Sequence, residues 1–109
     1  MNRAEFLGQV ERDPRLAPHA HSALPAWLWS ADSARIVWAN AAGAAVFGAG
    51  DAAELAAKNF GPADPHRRQV ARLASRLPAH GAIRMERMRG FGAAPGALMT
   101  CGCSRLDYP

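Results

Sequence analysis

The side chains best suited to chemistry in this sequence are its cysteines, and their spacing does not make them reactive. Cys101 and Cys103 are two residues apart, which is too close for an unstrained disulfide within one extended strand. No second Cys pair and no nearby His completes a zinc site. We therefore predict two buried, reduced thiols that pack as small apolar side chains, with a role in lining a cavity or sensing oxidants as the alternative.

Patterns typical of enzymes are absent from the sequence. No Ser, His and Asp have the spacing of a catalytic triad, and no glycine-rich loop lies between a strand and a helix where it could bind phosphate. The glycines from Gly90 to Gly96 fit a hairpin turn better. The sequence predicts that this chain alone is not an enzyme and leaves the activity of a parent protein open.

The charge of the chain is a modest arginine excess. Thirteen Lys and Arg against nine Asp and Glu give a net charge of +4, and Lys58 is the single lysine. Together with abundant Ala, Gly and Pro, this pattern is typical of codon bias toward GC-rich DNA. We interpret the charge as spread over the surface and expect no nucleic-acid partner. The hydrophobic half of the composition fits one ordinary folded domain.

The sequence carries no membrane or secretion signal. No stretch approaches the roughly 20 apolar residues of a transmembrane helix. The residues after Met1 include Asn2, Arg3 and Glu5 instead of the apolar core of a signal peptide. We expect a cytoplasmic protein with no membrane span.

Residues 1–24 are predicted to form a helix and a connector ahead of a domain at 25–109. Phe6, Leu7 and Val10 cluster at helical spacing, which predicts a short amphipathic N-terminal helix. These three side chains are too few to form a core of their own. We predict that they lie at the interface of a homodimer.

The remaining pattern predicts two hairpins with three short helices between them. The first hairpin is expected over 26–30 and 35–39 and the second over 82–89 and 98–106. In the second, Ile83 and Met85 share one face and Met88 breaks the alternation.

The three helices are predicted mainly from their first turns. Residues 41–47 are small and apolar, as in a closely packed helix. Asp51 and Glu54 have the spacing of a capping box, and Asp64 with Pro65 is typical of a capped helix start. The third helix presents apolar residues at 70, 73, 74 and 77 on one side.

The first half of the predicted domain is similar to the opening of PAS domains, the sensory modules found in bacterial sensor histidine kinases. The similar residues are the stretch from Trp27 to Asp32, the strand ending in Asn40 and the small helix up to Gly48. The resemblance covers roughly 24–106. It implies an α+β fold, with an antiparallel sheet and short helices on one face. It also implies structural roles for Asp32 in the turn and for Asn40, whose side chain would tie the second strand to the next helix.

A PAS sheet has five strands, and the last lies centrally beside the first. The sequence ends at residue 109 before any fifth strand-like run. We therefore expect a truncated domain whose sheet is completed by a second chain or by the N-terminal segment, or is rearranged.

The resemblance implies a cavity without indicating what occupies it. The candidates for its lining are Trp38, Phe47, Phe60, Val70, Cys101 and Cys103. His66 is a candidate haem ligand, although its place in a first turn beside Arg67 and Arg68 favours a solvated or capping histidine. Flavin–cysteinyl chemistry is not expected, because the helical region has no cysteine. The cofactor is thus left unknown.

Two functions follow as hypotheses. The first is a sensory module that regulates an attached or partner output domain, such as a histidine kinase, through a ligand- or partner-dependent change of conformation. The second is a structural dimerisation or protein-interaction module with no ligand. An open pocket with converging polar groups would favour the first, and a closely packed interior the second.

Overall fold

The computed structural model describes residues 3–79, 81–92, 94 and 96–107. Contacts within the chain divide it into two compact units, of which the first ends at Asn59 and the second begins at Phe60. His80, which the sequence assigns to a loop, lies outside the described residues.

The first unit contains the N-terminal helix, one hairpin and two short helices. In chain order its elements are α1 (Arg3–Glu11), a 3₁₀ turn (Ala17–His19), β1 (Trp27–Trp29), β2 (Ile36–Ala39), α2 (Ala41–Val46) and α3 (Ala52–Ala56). β1 and β2 pair antiparallel, with Trp27 opposite Ala39 and Leu28 opposite Trp38. The register shifts after Leu28, so Trp29 lies opposite Ile36.

Helix α1 forms where the sequence predicts it, but its segregation of polar and apolar side chains is weak. One reason is that Glu11 projects only about 40° from Leu7 around the helix axis. Val10 is fully buried in the single chain, and α1 lies against β2. Val10 therefore needs no second copy to cover it, which corrects its place among the interface candidates. Phe6 and Leu7 are partly exposed, and their role in a dimer stays a prediction.

The second unit contains one helix and one hairpin, namely α4 (Pro65–Ala74), β3 (Arg84–Arg89) and β4 (Leu98–Cys103). β3 and β4 pair antiparallel without a register shift, from Arg84 opposite Cys103 to Arg89 opposite Leu98. Both strands are shorter than the sequence predicts, which reflects the low precision of element ends.

The α+β class is confirmed, and the arrangement of the strands differs from the expected single sheet. The four strands among the described residues form two separate two-stranded antiparallel sheets, β1–β2 and β3–β4. In each sheet the partners are consecutive in the chain, so local hairpin pairing accounts for both.

The helix starts follow the local sequence chemistry. At α3, Oδ1 of Asp51 accepts a hydrogen bond from the Glu54 N–H at 2.8 Å, and Oε2 of Glu54 accepts from the Gly50 N–H at 2.8 Å. At α4, Oδ1 of Asp64 accepts from the N–H groups of His66 and Arg67 at 2.8 and 3.1 Å. These side chains satisfy N–H groups that have no partner within the helix.

The covered face of the second hairpin is the one that carries Met88. Ile83 and Met85 share a face, as predicted, but both are exposed, whereas Met88 is buried. Glu86 lies on the same side of β3 as Met88, and Arg76, in the segment after α4, has its Nη2 3.8 Å from Glu86 Oε2. The residue that breaks the alternation therefore marks the covered face.

Candidate functional site

The carboxamide of Asn40, the residue after β2, is 3% exposed and makes four hydrogen bonds to backbone groups. Its Oδ1 accepts hydrogen bonds from the N–H groups of Gly43 at 2.7 Å and Ala26 at 3.0 Å. Its Nδ2 donates to the carbonyl oxygens of His19 at 2.7 Å and Leu24 at 2.8 Å. A carboxamide has two donors and one two-lone-pair acceptor, so its whole capacity is used.

This arrangement, the Asn40 corner, joins three parts of the first unit. The bond from Gly43 caps α2, and the bond from Ala26 holds the residue before β1. The two donated bonds hold the connector between the 3₁₀ turn and β1. A strand-to-helix tie was expected from the sequence, whereas the bonds to the connector were not, because backbone acceptors leave no sequence signal.

Gly43 allows β1 and α2 to approach closely at the same corner. A Cβ atom added at Gly43 would lie 2.6 Å from the Ala26 carbonyl oxygen and 3.0 Å from Trp27 Nε1. The indole N–H of Trp27 donates to the Gly43 carbonyl oxygen at 2.9 Å. Only glycine fits a backbone approach of this kind.

Asp32 organises the turn between β1 and β2. Its Oδ1 accepts hydrogen bonds from the Ser30 hydroxyl at 2.6 Å and from the Ala34 N–H at 3.0 Å. The next residue, Ser33, has a φ of +61°, a left-handed conformation that is uncommon for residues other than glycine. Asp32 thus stabilises a tight turn through hydrogen bonds to nearby groups.

The candidate cavity residues fall in both units. Trp38 and Phe47 belong to the first unit and are partly exposed. Phe47 makes an edge contact with Trp27, with ring centroids 5.9 Å apart, and Lys58 Nζ lies 5.7 Å from its centroid. In the second unit Phe60 is buried and Val70 is partly exposed.

His66 is partly exposed, and its ring also contacts protein groups. Its Nε2 lies 2.9 Å from the Gly90 carbonyl oxygen, and its Nδ1 lies 3.6 Å from Asp64 Oδ1. Its ring makes edge contacts with Phe91 and Phe60 at centroid distances of 4.9 and 6.4 Å. Because the nitrogen that would bind iron already faces a carbonyl, haem ligation would require this contact to break.

The two cysteines are free thiols on β4, and both have intermediate exposure instead of the burial that the sequence predicts. Burial raises the pKa of Cys101. Burial, followed by the charges of Cys101 and Glu86, raises the pKa of Cys103 to about 11. Since the thiolate is the reactive form, both cysteines are weak nucleophiles at neutral pH, which favours the packing interpretation over oxidant sensing.

Sequence reasoning missed a clamp that α4 makes on the hairpin. The Gln69 side chain accepts from the Arg89 N–H at 2.9 Å and donates to the Arg89 carbonyl oxygen at 2.7 Å. This carboxamide occupies the position that a neighbouring strand would take. No signal in the sequence could have identified it, since a glutamine in a helix is most often a solvent-facing residue.

A second feature missed by the sequence is the exposed side of the β3–β4 hairpin, here named the outer face. Its residues are all exposed, and they combine aliphatic side chains with arginines. They are Ile83, Met85, Arg87, Arg89, Leu98, Thr100 and Gly102.

Within the described part of the chain, no helix has the length and apolar character needed to cross a membrane. No group of three or more His, Cys, Asp and Glu residues in the same part could hold a metal ion. Comparison of the chain with models of protein families, with curated proteins and with solved structures found no match.

Proposed function

We propose that this chain is a PAS-like sensory module that regulates an attached or partner output domain, for which a bacterial histidine kinase is the type suggested by the resemblance. The Asn40 corner is the observation that carries the proposal. Asn40 ends β2, caps α2 through Gly43 and bonds to Ala26 before β1, and the family resemblance implies such a tie at this position.

The output in this proposal depends on two arrangements of the module. A ligand or partner that binds one arrangement more tightly shifts the population toward it, and the difference in affinity sets the size of the response. The chain acts through contacts and not through catalysis.

The strand pairing is where the proposal departs furthest from the family. A PAS domain has one five-stranded sheet, whereas the described strands pair as two hairpins. The proposal therefore includes a rearranged sheet, or a sheet completed by a strand from another chain.

Native mass spectrometry of the purified chain, combined with visible absorbance and thermal unfolding, tests the sensory role. We expect a retained small molecule, or a rise in unfolding temperature with one member of a ligand panel. A ligand at 100 times its Kd stabilises the folded state by about 2.7 kcal/mol, which corresponds to a shift on the order of 10 °C for a chain of this size. A colourless chain that no ligand stabilises would reject the sensory role.

The second candidate is a structural dimerisation or interaction module without a ligand. The observation that favours it is the exposed outer face, together with the partial exposure of Phe6 and Leu7. Light scattering after size-exclusion chromatography tests the dimer. We expect a ligand-free dimer that Phe6→Ser with Leu7→Ser dissociates, and a monomeric parent chain would reject dimerisation.

A further inference from the structure

The outer face presents aliphatic side chains to solvent. Ile83, Met85 and Leu98 are 73%, 66% and 51% exposed. Ile83 and Met85 converge over Gly102, where a Cβ atom would lie 3.5 Å from Ile83 Cγ2 and 3.7 Å from Met85 Sδ. Contiguous exposed apolar side chains rimmed by polar groups mark interaction surfaces.

The charges on this face have one sign. Arg87 lies opposite Thr100 and Arg89 opposite Leu98, whereas Glu86, the only carboxylate of the hairpin strands, points to the other face. The Arg89 guanidinium is held in place by a 2.6 Å hydrogen bond from Nη1 to the Gly96 carbonyl oxygen.

The surrounding sequence has the same sign. From residue 60 onward, eight arginines outnumber three carboxylates, a net charge of +5 (8 − 3) with His neutral. Residues 1–59 have five basic and six acidic residues, a net charge of −1 (5 − 6). The outer face therefore favours an acidic partner, since a second copy docked through the same face would bring arginines against arginines.

The side chains of this face fit a protein better than a nucleic acid. Bases bind proteins by stacking on aromatic rings, and the outer face, whose residues are all described, contains no aromatic residue. Methionine and arginine are enriched at protein–protein interfaces. The partner chemistry indicated is a polypeptide that carries both carboxylates and aliphatic side chains.

The free edge of β4 indicates that the bound polypeptide is extended. Among the described residues, β4 pairs with β3 alone. The Arg89 N–H points away from β4, because it donates to the Gln69 side chain. In an antiparallel pair of this kind, the N–H and C=O groups of the opposite residue, Leu98, point away from β3. Alternation extends this orientation to Thr100 and Gly102. The corresponding edge of β3 is closed at Arg89 by Gln69.

We propose that the outer face and the free edge of β4 bind an extended acidic segment of a partner protein. The segment adds as a strand beside β4, its aliphatic side chains pack on Leu98 and Met85, and its carboxylates pair with Arg87. Thr100 and Gly102 are small, so long side chains of the added strand reach across β4. This binding proposal rests on the proposed function in one respect, namely that the chain acts by contacting a partner protein.

Fluorescence anisotropy with a labelled peptide that repeats Val-Ser-Glu-Ser tests this binding, because valine and glutamate two residues apart lie on the same face of a strand. The comparison probes replace glutamate by lysine or valine by serine, and a fourth probe is single-stranded oligothymidylate. We expect the glutamate–valine peptide to bind about tenfold more tightly than each of the others. Hydrogen exchange should show new protection of the Leu98, Thr100 and Gly102 amides in the complex.

Matched variants locate the binding surface. Arg87→Glu with Arg89→Glu should weaken binding about tenfold or more, and Met85→Ser should weaken it several-fold. Arg68→Glu with Arg72→Glu makes the same change of net charge at exposed positions of α4 and should leave binding within about twofold. Circular dichroism of each variant checks that it is folded.

Three results would overturn the proposal. Equal weakening by both double variants would mean attraction to net charge alone. Tighter binding of oligothymidylate through Arg87 would assign the face to nucleic acid, and a dimer that Met85→Ser dissociates would assign it to a second copy. The small-molecule test of the sensory role does not use this face, so a ligand-binding chain that ignores the peptide rejects only this inference. A peptide-binding chain without a ligand rejects only the sensory role.

Discussion

Replacing Asn40 by alanine removes the side chain that joins the parts of the first unit. The variant leaves the N–H groups of Gly43 and Ala26 and the carbonyls of His19 and Leu24 without their partner. Each such hydrogen bond contributes about 1 kcal/mol net, and loss of a helix N-cap alone costs about 0.5–2 kcal/mol. We expect the free energy of unfolding to fall by about 3–4 kcal/mol, a large share of the 5–15 kcal/mol typical of a domain.

Two further variants separate the contributions. Asn40→Asp keeps the oxygen that accepts from Gly43 and Ala26, so α2 stays capped. It replaces the Nδ2 donor by a second oxygen, which would face the carbonyl oxygens of His19 and Leu24. We therefore expect a loss of stability that comes from the contacts with the connector. Asn59→Ala is the matched control, because Asn59 is exposed and its truncation should change stability by less than about 0.5 kcal/mol.

Urea denaturation followed by tryptophan fluorescence measures these differences in the free energy of unfolding for the first unit. Trp27, Trp29 and Trp38 are the only tryptophans and all lie in the first unit, so the signal reports on the unit that contains the corner. A loss below about 1 kcal/mol for Asn40→Ala, relative to Asn59→Ala, would refute the reasoning, since water would then replace the four bonds at little cost.

Three other changes have expected outcomes. Gly43→Ala should lower the free energy of unfolding by about 1–3 kcal/mol in the same urea assay, because its Cβ would lie 2.6 Å from a carbonyl oxygen, although alanine normally favours a helix. Gly61→Ala is the control and should be near neutral, because its added atom meets nothing within 4 Å. Equal losses of stability in the two variants would contradict this prediction. The pKa of Cys103 is raised to about 11, so folding favours its protonated form. Its contribution to the free energy of unfolding should be fully present below pH 9 and be lost as the pH rises toward about 11. Cys103→Ser should lose less stability over this range, and identical pH curves for the two proteins would contradict the prediction. Gln69→Ala should lower stability by about 1–2 kcal/mol and speed hydrogen exchange at Arg89, and unchanged exchange there would show that the clamp does not hold the strand edge.

The features that sequence analysis predicted well are those with local causes. Asp51 and Asp64 accept hydrogen bonds from N–H groups two or three residues ahead, so spacing alone contains the information. The order of strands and helices is predictable for the same reason, because turn residues and periodicity are properties of neighbouring residues.

The features that it missed depend on residues far apart in the chain. Which face of β3 is covered cannot be read from a strand with apolar residues on both sides, and the folded second unit covers Met88 instead of Met85. The contact of His66 with the Gly90 carbonyl joins residues 24 positions apart in the chain, so no local pattern indicates it. In each case contacts between residues that are distant in the chain decide the outcome.

The Asn40 corner also has a mechanical consequence. One side chain holds the carbonyls of His19 and Leu24 and caps the first turn of α2, so a force that pulls the connector away must first break bonds of the same group that starts the helix. Displacement of the segment before β1 therefore removes two of the four bonds that orient the capping side chain, which couples this segment to the first turn of α2.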